Sequence, residues 1–128
     1  DGAHRMEWET APVTASEGKV SLVWTGALGY ASEPSGSFTM HLNGKPLLDF
    51  DVSLSSKKWA SADGTCELLF DVHSANSQDA FGVMYLTVPA SMLESGKPAR
   101  ISVTGSNANS RRWFMVLDYK DTLEHEGP

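Results

Sequence analysis

Between Gly36 and Phe50 the chain alternates, with Phe38, Met40 and Leu42 on one face and Ser37, Thr39 and His41 on the other. A period of two belongs to a strand with one buried face. Asn43-Gly44 follows, a pair suited to the positive φ angles of a two-residue type I′ turn. Leu47, Leu48 and Phe50 then open a return strand. The pattern predicts a hairpin with strands over 37–43 and 46–53.

Other strand-like runs arrive at short spacing. Lys19–Trp24 comes first, and Gly26–Gly36 reads as a long loop rich in Gly, Ser and Pro. Lys57–Ala60 is short and reads as strand or loop. A turn at Asp63-Gly64 precedes a strand over Cys66–Val72, then polar Ala75–Asp79, then the β-prone Gly82–Val88 stopped by Pro89. Ala90–Glu94 fits one helical turn, and Pro98–Thr104 is a further strand. Arg111–Tyr119 is apolar on both faces, which predicts a strand through the middle of a sheet. Seven to nine strands without a long helix imply an all-β antiparallel β-sandwich. Jelly-roll is the preferred topology, although spacing alone fits an immunoglobulin-like sandwich equally.

Composition narrows the partners. The 128 residues suffice for one domain with a real core, and 41% hydrophobic against 20% charged residues is a globular balance. A net charge of −6 with no basic stripe argues against nucleic acid and against anionic membrane surfaces. No run reaches the roughly 18 apolar residues of a membrane span. The single cysteine, Cys66, reads as a small buried hydrophobe. The chain opens Asp1-Gly2-Ala3-His4 without an initiator Met or signal sequence, and so reads as a module cut from a longer protein. Its expected core is 19–120, with 121–128 a tail or linker.

Catalytic patterns do not emerge. His4, His41, His73 and His125 lack metal-site spacing, the serines lack a nucleophile elbow, and Gly26–Gly29 does not match a phosphate loop. The expectation is a non-enzymatic module.

Leu42-Asn-Gly-Lys45, Val88-Pro-Ala-Ser-Met-Leu-Glu-Ser-Gly-Lys97 and Ile101-Ser-Val-Thr-Gly105 together resemble galactose-binding-like jelly-roll domains, over residues 19–120. Many such domains are carbohydrate-binding modules of bacterial polysaccharide-degrading enzymes. The resemblance implies a secreted, periplasmic or cell-surface module, covalently linked to a catalytic domain and holding it on a polysaccharide or glycan. The alternative is a sandwich that packs on the catalytic domain without binding sugar. No cofactor is required by either reading. Calcium-containing modules of this architecture place acidic residues near the first strand and in the last one, and the resemblance therefore offers Glu7, Glu9 and Asp118 for a structural calcium ion.

Sugar binding needs flat aromatic rings for the C–H faces of a pyranose and fixed polar groups for its hydroxyls. Trp59 sits in a polar segment, as platform or as packing; Trp24 ends the first strand beside the long loop; Tyr30 lies within that loop. Trp113 reads as core and Trp8 as cover for the sandwich edge. Asn107, Asn109, Arg111 and Arg112 form the sharpest polar cluster, the arginines serving either a ligand or an internal ion pair. Asn76, Gln78 and Asp79 are further loop donors and acceptors.

Overall fold

In a computed structural model, which describes residues 5–14, 17–30, 37–105 and 112–116, the chain forms two stacked antiparallel sheets. The strands are β1 (Arg5–Val13), β2 (Lys19–Gly29), β3 (Phe38–Leu42), β4 (Lys45–Phe50), β5 (Lys57–Ala60), β6 (Glu67–Ala75), β7 (Asp79–Pro89), β8 (Lys97–Gly105) and β9 (Trp113–Val116). One sheet has the order β1-β8-β3-β4 and the other β5-β6-β7-β2-β9. One 3-10 turn, Ala90–Met92, joins β7 to β8. The expected all-β sandwich is therefore what forms.

The period-two pattern decides which face is buried. Trp8, Met40, Phe50, Ile101 and Val103 face inward from the four-stranded sheet, and Leu22, Trp24, Leu68, Phe70, Met84 and Leu86 meet them from the other. Each of these is 5% exposed or less, so their burial supplies the main drive to fold, about 1.5–3 kcal/mol for each large side chain. Aromatic rings run through the interior as a chain of contacts. Trp8 meets Trp24 edge-on at 5.2 Å, stacks on Phe114 at 5.9 Å, and Phe114 meets Phe50 at 5.6 Å.

At the hairpin tip Asn43 and Gly44 both adopt positive φ, 51° and 86°, as a type I′ turn requires. The tip is also tied to β8: the Asn43 N–H donates to the Arg100 carbonyl at 2.7 Å, and the Arg100 N–H donates to Asn43 Oδ1 at 2.9 Å. These bonds lock the register of three strands at once. Pro46 and a register shift between Met40 and His41 blunt the outer edge of β4.

Two expectations need correction. Gly26–Gly29 is not loop but the end of β2, paired with β7 on one side and β9 on the other. Among the described strands β9 lies at the edge of its sheet, beside β2, and not in the middle. Its apolarity on both faces arises because Phe114 packs inward while Trp113 and Met115 cover Gly29 and Ala27 on the outside.

Candidate functional site at the loop end of the sandwich

Strand pairing brings several chain breaks to one end of the molecule. β2 leaves its sheet at Gly29, β9 enters it there opposite Gly29 as Trp113, and Asp79 at the start of β7 pairs with the same glycine. In the other sheet Phe38, the first residue of β3, pairs with Gly105, the last of β8, and Arg5 of β1 lies opposite Thr104. Both long connections, β2–β3 and β8–β9, therefore spring from this end. The sequence had placed Tyr30, Asn107, Asn109, Arg111 and Arg112 in those two connections.

Between the sheets at this end lies a cleft of about 180 Å³, lined by Arg5, Met6, Phe38, Val103, Trp113 and Phe114. Its floor is apolar because β1, β3, β8 and β9 each contribute a side chain that begins the core. Trp113 is half-buried, and its indole lies over Gly29 where any Cβ would fall inside the ring. A β-carbon at 29 would push the ring away, so the glycine is what lets this aromatic lie flat on the sheet. Tyr30, the next residue, is half-buried with φ 67°, a left-handed conformation that costs a non-glycine residue on the order of 1 kcal/mol or more. The chain turns sharply out of β2 at that point.

Arg112 is not an open donor. It is 9% exposed, and its Nε–H donates to Asp51 Oδ1 at 2.7 Å, while the Val52 N–H donates to the same oxygen at 2.7 Å. The internal ion pair, rather than ligand contact, is the role this geometry gives it, bracing the β8–β9 connection against the one after β4.

Trp24 is corrected more firmly. β2 continues past it to Gly29, so the residue faces inward from mid-strand, 2% exposed and edge-on to Trp8. It offers no ring to a ligand, and its Nε1 is buried without a hydrogen-bond partner among the described residues. Trp59, on the edge strand β5, is half-buried, edge-on to Phe50 at 5.8 Å, with Lys57 Nζ 5.6 Å from the ring centre. It packs beside the core and does not line the cleft.

Glu7 and Glu9 share the outer face of β1. Glu7 is spent on cations: Oε1 accepts from Arg5 at 3.0 Å and Oε2 from Arg100 at 2.9 Å. Two guanidinium groups on this carboxylate do not suit a calcium site, and among the described residues no three His, Cys, Asp or Glu side chains are grouped for a metal ion. Asn107, Asn109, Arg111 and Asp118 lie outside the described residues.

Sequence reasoning missed Trp113 and Arg5 as cleft residues. The clue for Trp113 was an aromatic flanking an apolar strand, but its exposure depends on a pairing with Gly29 that no local pattern announces. Comparison with protein-family models, with curated proteins and with solved structures gives no match.

Proposed function

We propose that the chain is a non-catalytic carbohydrate-binding module whose ligand sits at the loop end, against Trp113. The observation that carries this reading is the Trp113 ring, held over Gly29 on the outer face of β2 and β9 and partly open to solvent, on a residue that also borders the cleft. A flat, immobilised aromatic face is what the C–H side of a pyranose packs on, and fixing it beforehand lowers the ordering cost of binding. Arg5, on the cleft wall, and Tyr30, at the turn out of β2, supply polar atoms within the same end. The β8–β9 connection, which springs from this end, carries Asn107, Asn109 and Arg111 of the expected site.

In this reading the winding of β1-β8-β3 over β7-β2 is a jelly-roll of the galactose-binding-like kind, and the module is secreted or displayed at the cell surface. Its task is to hold a linked glycan-degrading domain near its polysaccharide, raising local substrate concentration. One small cleft implies an affinity of roughly micromolar to millimolar. A glycan array followed by calorimetry tests this. Binding that is lost in Trp113→Ala and kept in Trp59→Ala is the expected result. Flat traces across neutral and acidic glycans would overturn it and leave the packing-only alternative.

A further inference from the structure

Among the described residues Arg5 is the one charged side chain that borders the cleft; the rest of the lining is apolar or aromatic. A ligand charge held there meets a cation beside a low-dielectric wall, where attraction is stronger than in open water. The Arg5 side chain is 57% exposed, and among the described residues it makes one bond, from Nη2 to Glu7 Oε1 at 3.0 Å. A guanidinium carries five N–H donors, so most of its fork is open to a ligand. Arg112 has no such freedom, because it is buried against Asp51.

The carboxylate that holds Arg5 is shared. Glu7 Oε2 also accepts from Arg100 Nε at 2.9 Å, so two guanidinium groups divide one negative charge. When Arg5 turns to a ligand, Glu7 keeps Arg100 and no charge is stranded. Exposed ion pairs of this kind contribute little and exchange readily. The other acids stand off from the cleft. Glu9, opposite Arg100, is four residues along β1 from Arg5, roughly 13 Å by strand rise and beyond the screening length of about 8 Å. Asp79 pairs with Gly29 from β7, Asp49 pairs with Thr39 from β4, and neither lines the cleft. We propose that the saccharide bound here is acidic, and that Arg5 receives the carboxylate of a uronic acid unit in exchange for Glu7. The inference rests on the sugar-binding reading and assigns the class of sugar. A planar guanidinium matches a carboxylate through two parallel N–H···O bonds, whereas a neutral hexose brings only hydroxyls to compete with the charge of Glu7.

The test titrates the intact chain by calorimetry at low salt with trimers of galacturonic, glucuronic and mannuronic acid, each beside its methyl ester and the matching neutral trimer. Short probes limit repulsion from a chain of net charge −6. At least one acid trimer is expected to bind about tenfold more tightly than its ester. Arg5→Gln should abolish that preference and leave the ester's affinity and the melting temperature unchanged. Glu7→Gln removes the competing carboxylate and should tighten the acid trimer by about two- to threefold without altering the ester. Trp113→Ala should weaken acid and ester alike. Acid and ester bound equally, or neutral trimers bound and no acid bound, would overturn the inference while the sugar-binding reading stands. A preference that survives Arg5→Gln would overturn the assignment of the carboxylate to this residue. A sulfated galactose trimer bound more tightly than every acid trimer would replace the carboxylate with a sulfate ester. No binding of any trimer, charged or neutral, would sink both readings together.

Discussion

The Trp113 indole occupies the space that a side chain at Gly29 would fill. The two are direct partners in the β2–β9 ladder, so the bare backbone of one residue becomes the seat for the ring of the other. Any larger residue at 29 must displace the ring outward. Gly29→Ala is expected to cost about 1–2 kcal/mol through this crowding, because a half-exposed ring yields more easily than a core one. Saccharide affinity should fall further than stability does, and calorimetric titration beside thermal melts separates the two. Equal binding by the variant would show that the ring's placement is not used.

Arg112 and Asp51 give the second expectation. Their bond is short and charge-assisted, and the arginine is largely out of water. Arg112→Ala or Asp51→Ala should each cost about 2 kcal/mol, with a coupling of similar size in a double-mutant cycle by denaturant melts. If Arg112 instead touched ligand, its loss would reduce affinity and leave the midpoint unchanged.

Local chemistry made the hairpin readable. Asn43-Gly44 needs nothing beyond its neighbours to choose a type I′ turn, and alternation did the rest for β3 and β7. β1 escaped notice because one of its inward positions is polar. Thr10 faces in, 7% exposed, with its hydroxyl accepting from the Ala99 N–H at 3.0 Å and donating to the Ala11 carbonyl at 2.7 Å. Satisfaction by a strand distant in sequence cannot be read from the strand itself.

The end of β2 misled for the opposite reason. Its glycines looked like loop but serve close packing: a Cβ on Gly26 would lie 3.2 Å from Met84 Sδ, and Trp113 covers Gly29. Ending the strand too early placed Trp24 at a rim when it sits mid-strand in the core. The sequence set Trp24 beside the long connection, whereas the fold buries it and leaves Trp113 partly exposed at that end. Which aromatic faces water is fixed by cross-strand partners.

Asn43 predicts a stability effect confined to the turn end. Its side chain and backbone both bond to Arg100, and its φ is positive. Asn43→Ala loses the side-chain bond and places alanine in a left-handed conformation, so about 1–2 kcal/mol of stability should disappear. Asn43→Gly keeps the turn and loses only the bond, and should cost less. Saccharide binding at the opposite end should be the same in both, measured by the same titration.

Asp63 supplies the pH dependence. The Thr65 N–H at 3.0 Å, the Thr65 hydroxyl at 2.8 Å and the Ser61 hydroxyl at 2.8 Å all donate to its Oδ1. These bonds favour the ionised form and hold its pKa below the ordinary 3.8, with the Thr65 backbone bond foremost. A carboxyl depressed by folding contributes stability that is fully present above its unfolded value and drains away as pH falls through the folded one. The window therefore opens near pH 3.8 and extends downward. Urea melts from neutral to acid pH should show the wild-type chain losing stability there faster than Asp63→Asn, which keeps an acceptor but has no proton to take up. Parallel curves would mean that the bonds to Asp63 do not depend on its charge, in a turn also held by the Ser61 N–H to the Cys66 carbonyl, the Gly64 N–H to the Ser61 carbonyl and the Cys66 N–H to the Ser61 hydroxyl.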